Sequence, residues 1–258
     1  MAGFFIPDPR FEMPSLLEPG RKPVGPVEID RSGVGSHVVS AILFNEYPPR
    51  NIVSDATFPK RDSSGDGDGG VQTVTNKGLV TTFDATGGNY GRDPALEKIS
   101  NEFTLMVLAR PRLASSDNWS SIITLEQGTS SRVRIQRAGS NTSFIQPRIW
   151  SPGENPVGSL NVNDGEWMWF SVRATFNGAS VWATHTTDGN PKLIDFQNAV
   201  LGDAPAGPFN AMSLGITAFE DDLVIDADLA TVYVFNKHLS DSEFNSVLSN
   251  PYKMLIPK

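Results

Sequence analysis

An all-β, antiparallel fold is predicted by three observations: period-2 alternation between Asp164 and Gly178, heavy use of Gly and Pro with few charges, and turn residues at close intervals along the chain. Met168, Phe170, Val172, Ala174 and Phe176 alternate with Trp169, Ser171, Arg173 and Thr175, the pattern of a half-buried strand. Asn177-Gly178 then supplies the positive-φ pair that a tight hairpin turn requires. The following ASVWATHTTDGN is rich in β-branched and aromatic residues and ends in Asp188-Gly189, so two linked hairpins are expected. With 23 Gly, 19 Pro and 19% charged residues among 258, the composition suits many strands joined by turns. That length favours one large β-sandwich over two small domains.

Residues 1 to 26 hold six prolines, with Phe4, Phe5, Ile6, Phe11, Leu16 and Leu17 between them. Proline at this density prevents a helix or a central strand, while the aromatic content is too high for a solvated linker. An extended arm over residues 1–33 is expected, lying either along its own domain or on a neighbouring subunit. The globular domain then runs from 34 to 258. His37 to Phe44 reads as its first buried strand, followed by a long loop that culminates in DSSGDGDGG, residues 62–70. There Asp62, Asp66 and Asp68 are candidate calcium ligands, because that ion takes clustered hard oxygens. The spacing lacks the EF-hand order, and such composition also makes plain turns. No other cofactor is expected.

Further strands are predicted at Gly78 to Phe83, Glu102 to Ala109, Ser121 to Leu125, Arg132 to Arg137 and Ser143 to Ile149. Others follow at Trp167 to Phe176, Ser180 to Thr186, Met212 to Ile216 and Asp228 to Phe235. Ser240-Asp241-Ser242-Glu243, with Phe244, Val247 and Leu248 behind it, forms a capping box on an amphipathic helix that should end by Asn250-Pro251. The apolar tail YKMLIPK is left to pack or dock.

The net charge of −8 and the lack of a Lys/Arg-rich run argue against a nucleic-acid partner. Without cysteine there is no disulfide, zinc thiolate or thiol nucleophile. The N-terminus lacks a signal-peptide pattern and no run approaches a membrane span, so synthesis in the cytosol and no membrane partner are expected. Enzymatic chemistry finds no support. Retaining glucanases need alternating acids on one strand, whereas Glu220-Asp221-Asp222 with Asp226 and Asp228 offers two alternating carboxylates at best. His37, His185 and His238 are scattered, and neither a Gly-x-Ser-x-Gly elbow nor a phosphate loop is present. Trp119 and Trp150 sit in polar, turn-rich contexts, where an exposed indole stacks on sugar or a buried one plugs a sandwich end. Trp167 and Trp169 lie opposite the apolar stripe, either on a binding face or beneath a covering loop.

KGLVTTFDATGGNY (Lys77 to Tyr90), EFTLMVLARP (Glu102 to Pro111), WFSVRATFNG (Trp169 to Gly178) and DADLATVYVFNKHLSDSEFNSVLSNPY (Asp226 to Tyr252) together resemble laminin G-like, concanavalin A-like jelly rolls over residues 34–252. The resemblance implies an antiparallel jelly-roll β-sandwich with one short C-terminal helix, and says little about function. PGRKPVGPVEID (Pro19 to Asp30) is similar to the leader on such jelly rolls encoded by tailed bacteriophages. It implies a non-enzymatic virion structural protein. The role expected from the arm is capsid decoration, with the major capsid protein and further copies of this chain, as dimer or trimer, for partners. Interface candidates are Phe4, Phe5, Ile6, Phe11, Leu16 and Leu17 of the arm, with Met254, Leu255 and Ile256 of the tail. The alternative is a lectin-like receptor-binding domain of a tail fibre or spike, contacting surface glycans through Trp119 and Trp150. The lack of heptads or repeats to build a shaft favours decoration, at the capsid surface more than the tail.

Overall fold

The computed structural model describes residues 22, 23, 25–61, 69–84, 87–100, 102–116, 119–127, 131–137, 139, 144–151, 153–156, 160–162, 164–175, 180–187, 193–200, 208–216 and 224–258. In chain order the strands begin with β1 (Val27–Ile29), β2 (Val38–Ile42), β3 (Lys60–Arg61), β4 (Val71–Thr75), β5 (Gly78–Asp84) and β6 (Gly88–Arg92). Next come β7 (Glu102–Pro111), β8 (Ser121–Gln127), β9 (Ser131–Arg137), β10 (Phe144–Ser151), β11 (Gly153–Pro156) and β12 (Leu160–Asn161). The last are β13 (Met168–Thr175), β14 (Ser180–Thr187), β15 (Leu193–Val200), β16 (Ala211–Leu214), β17 (Asp226–Phe235) and β18 (Leu255–Pro257), with helix α1 (Asp241–Ser249) before β18.

These strands form two antiparallel sheets and a ribbon. Sheet I runs β15-β14-β13-β7-β17-β5-β4, with β2 also on β17; sheet II runs β11-β10-β9-β8-β16-β6-β3, with β12 on β10. The ribbon is β1 with β18. The fold is an antiparallel jelly-roll β-sandwich. Both predicted hairpins are present as pairs, β13 with β14 and β14 with β15, while their turns at Asn177-Gly178 and Asp188-Gly189 lie outside the described residues.

Period-2 alternation sorts the side chains into layers. Phe103, Leu105 and Val107 of β7 and Phe170 and Val172 of β13 face Ile123, Leu125, Val133 and Ile135 of sheet II across the main core. The other face of sheet I holds a second apolar cluster, in which Met106, Leu108, Trp169, Tyr233 and Phe235 meet Phe244, Val247 and Leu248 of α1. The strand Met168–Thr175 is therefore buried on both faces, which corrects the half-buried expectation: Trp169, Ser171 and Arg173 are 4%, 1% and 3% exposed. The reason is α1 and the β1–β18 ribbon, which lie over what alternation alone marks as the outer face. Arg173 turns this to use, because its Nη1 donates to the Leu239 carbonyl (3.0 Å) and to Asp241 Oδ1 (2.7 Å), and its guanidinium lies 4.7 Å from the Phe244 ring.

The predicted helix forms with its cap as read. Glu243 N–H donates to Ser240 Oγ (3.3 Å) and Ser240 N–H returns to Glu243 Oε2 (2.9 Å), satisfying two donors that a helix start leaves open. After it, the tail folds back: Leu255, Ile256 and Pro257 pair with Ile29, Glu28 and Val27, and Asp30 N–H donates to the Met254 carbonyl at 2.8 Å.

Among the strands that the periodicity did not mark, β6 is instructive, since GNYGR reads as a turn. A Cβ on Gly91 would come 2.3 Å from the Thr57 carbonyl oxygen, and one on Gly88 would come 2.4 Å from Ile216. Both glycines are there for close packing against a neighbour, a use that looks the same as turn chemistry in sequence.

Candidate functional site

The outer face of sheet I changes character along its length. Around Tyr233 and Phe235 it is the second core; toward the start of β17 and the end of β7 it becomes polar. Register aligns Val71 of β4, Thr82 of β5, Asp228 of β17 and Arg110 of β7 in one row. The Thr82 hydroxyl donates to Asp228 Oδ1 (2.7 Å), with Thr73 Oγ1 2.9 Å beyond it. Arg110 Nε donates to Asp228 Oδ2 (2.6 Å), its Nη2 pairs with the same oxygen, and Arg112 Nη1 reaches that oxygen at 2.9 Å. Arg112 Nε also donates to Asp226 Oδ1 (2.5 Å). The Asp228 side chain is 2% exposed. Burial pushes its pKa up, but the hydrogen bonds from Thr82, Arg112 and Arg110 outweigh burial and hold it below the usual carboxylate value. Across the row from Asp228, the Arg110 guanidinium lies over the Trp167 ring, 5.3 Å from its centroid.

Arg110 and Trp167 open onto a groove of about 700 Å³, within the roughly 300–1,000 Å³ typical of small-ligand sites. One wall is the β4–β5 hairpin from Thr73 to Lys77, and the other is the segment from Gly165 to Trp167. Gly78, at φ 79°, takes the left-handed position that closes this hairpin, and Thr75 Oγ1 accepts from Lys77 N–H at 3.1 Å. Gly165, also at positive φ (74°), donates its N–H to the Pro111 carbonyl and so fixes the second wall to the end of β7. Thr73, Val74 and Asn76 are exposed on the first wall, and Glu166 on the second. The site therefore offers hydroxyl, amide and charged groups beside a rigid arginine-on-indole floor. Among the described residues these groups are hydrogen-bond donors and acceptors set beside an apolar ring.

Sequence reasoning placed Trp167 on this face and noted the alternating carboxylates Asp226 and Asp228, but missed Arg110 and Arg112 as their partners. The signal is present: arginines alternate at the end of β7 and aspartates alternate at the start of β17, and an antiparallel pairing sets them side by side.

The tryptophans singled out from sequence are dispersed. Trp119, between β7 and β8, is 41% exposed at φ 66°, and its ring packs against Gly139, where an added Cβ would come within 2.9 Å. It does not line the groove. Trp150 lies in β10, where register sets it in one row with Arg132 and Glu126; its side chain is outside the described residues. That row belongs to the outer face of sheet II, whose Thr124, Glu126, Arg134, Gln136 and Ser213 are each 1% exposed or less, so this polar face is covered. Met254 is 4% exposed in the chain's own second core and half-buried Leu255 packs against it, while Ile256 remains 39% exposed. Phe4, Phe5, Ile6, Phe11, Leu16, Leu17, Asp62, Asp66 and Asp68 lie outside the described residues. Among the described residues no three His, Cys, Asp or Glu side chains gather as a metal-binding group.

Solved structures share this architecture. The binding domain of botulinum neurotoxin DC in complex with SialylT superposes with a TM-score of 0.62 at 10% identity, covering 84% of this chain and 52% of that one. The same domain in complex with rat synaptotagmin II gives 0.62 at 11%, with the same coverage. Domain 4 of AbnA, an extracellular GH43 arabinanase from Geobacillus stearothermophilus, in complex with arabinotriose, gives 0.61 at 12%, covering 82% of this chain and 98% of that domain. The chain thus spans about half of the neurotoxin binding domain and nearly all of the arabinanase domain. At such identities the likeness establishes the β-sandwich fold alone. No family model matches the chain. No curated protein matches it either.

Proposed function

We propose that this chain is a non-enzymatic carbohydrate-binding β-sandwich that holds its ligand in the groove between the β4–β5 hairpin and the Gly165–Trp167 segment. The observation that carries the reading is the stack at its floor: buried Asp228 fixes Arg110, and Arg110 lies over Trp167. A site whose polar groups are held by neighbours before the ligand arrives loses little ordering entropy on binding. The sugar complex of the arabinanase domain, on the same fold, supports the choice of ligand class. Val74 is 79% exposed on the groove wall, so Val74→Arg should obstruct the groove and leave stability within about 0.5 kcal/mol. A glycan array followed by calorimetry tests this: the variant should lose at least about tenfold in affinity for whatever sugar the wild type retains. Binding that survives Val74→Arg unchanged would place the ligand elsewhere.

A second reading, virion decoration through the N-terminal arm, rests on the leader-like segment Pro19 to Asp30 and on the anchoring of Val27–Ile29 to β18. A load on residues 1–26 would pass directly into the domain through that ribbon. Quantitative mass spectrometry of purified particles tests it: hundreds of copies per particle are expected, and none removes the reading.

A further inference from the structure

We infer that the groove selects uncharged saccharides over acidic ones, an inference that rests on the carbohydrate reading above. Among the described residues its charges are internally balanced. Lys77 and Arg110 are the cations of the lining, Glu166 is its carboxylate, and Asp228 lies directly behind Arg110. An acidic sugar is held tightly where a guanidinium presents two parallel N–H groups to it. In Arg110 the side-on edge is occupied, because Nε and Nη2 both point at Asp228 Oδ2 while the guanidinium face rests on the Trp167 ring. The Nη1/Nη2 edge that remains belongs to a cation already neutralised by Asp228, so it offers hydrogen bonds to hydroxyls without an unbalanced charge to attract a carboxylate. Lys77 and Glu166 each already have an interaction partner, so neither is an idle charge awaiting an ion.

The remaining wall chemistry is neutral. Thr73 and Asn76 present a hydroxyl and an amide to the groove, and Val74 offers an apolar contact for the carbon face of a sugar ring. At long range the chain's net charge of −8 repels a polyanion before it arrives. An incoming carboxylate would therefore lose water without a compensating ion pair and would meet Glu166 at the rim.

The test uses the full chain and matched sugars that differ in one carboxylate: lactose against sialyllactose, and arabino-oligosaccharides against oligogalacturonates of equal length. Acidic members should bind at least about tenfold more weakly than neutral ones. Affinity for the neutral members should change less than about twofold between about 20 mM and about 300 mM NaCl, because no net charge is neutralised on binding. Glu166→Gln removes the rim carboxylate and should shift the acidic-to-neutral affinity ratio toward acidic sugars by about threefold or more. Tighter, salt-sensitive binding of the acidic members would overturn the inference and leave the carbohydrate reading standing. Binding of neither set in this panel or on the array would take down both.

Discussion

The two outer faces of the sandwich are both buried, and they are built from opposite chemistries. On sheet I, Met106, Leu108, Trp169, Tyr233 and Phe235 form an apolar surface against α1. On sheet II, Thr124, Glu126, Arg134, Gln136 and Ser213 form a polar surface, equally hidden. An apolar face is stabilised by area removed from water, so it tolerates changes of partner but not loss of volume. A polar face gains nothing from burial itself and depends on each hydrogen bond being made, as between Ser213 Oγ and Glu126 Oε1 at 2.7 Å. The groove lies where the apolar face of sheet I gives way to polar groups, and buried Asp228 stands behind the Arg110 that lines it.

The sharpest way to break the contrast is to remove volume from the apolar side. Phe244→Ala should cost about 3–5 kcal/mol, because the ring is buried between α1 and sheet I and carries Arg173 on its face. Chemical denaturation measures it, and a loss below about 1 kcal/mol would mean that α1 is only loosely applied. On the polar side a single hydroxyl should matter nearly as much. Ser213→Ala strips a donor from a buried carboxylate and should cost about 1.5–3 kcal/mol. Ser40→Ala, removing a buried hydroxyl in sheet I that makes no hydrogen bond among the described residues, should stay within about 0.5 kcal/mol of wild type or stabilise. Equal costs for the two serines would refute the distinction.

The smallest effect concerns the cover of the apolar face and its response to acid. The hydrogen bond from Lys237 lowers the Glu243 carboxyl; burial opposes it, and the Ser240 N–H adds to it, so the pKa falls from 4.5 to about 2. A carboxylate depressed in the folded state stabilises it fully above the unfolded value, and that stabilisation is lost as pH falls from about 4.5 to about 2. Melting curves of wild type and Glu243→Gln should therefore differ at neutral pH and converge across that window. A gap that persists at pH 2 would assign the difference to the capping geometry instead of the charge.

Much of this was legible in the chain. Alternation in MWFSVRAT identified both faces of β13, and the SDSE box identified the start of α1, because strand faces and helix caps are set by residues within a few positions of each other. The same locality explains what was missed. Thr82 and Asp228 are 146 residues apart, and Arg110 and Asp228 are 118 apart, so no window of sequence shows them as one row. Trp119 and Trp150 stood out in sequence for their polar, turn-rich contexts, whereas the groove is built on Arg110 and Trp167 together.

The sequence by itself determined the principal strands, which faces alternate, where the helix begins, and that cysteine-based stabilisation is absent. Tertiary structure alone decided which of the outward faces would be covered, that Met254 would be core, and that arginines from one strand would meet aspartates from another. The physical reason is range. Periodicity and capping are fixed by backbone geometry over a few residues, whereas burial and ion pairing depend on segments brought together only when the sheets close.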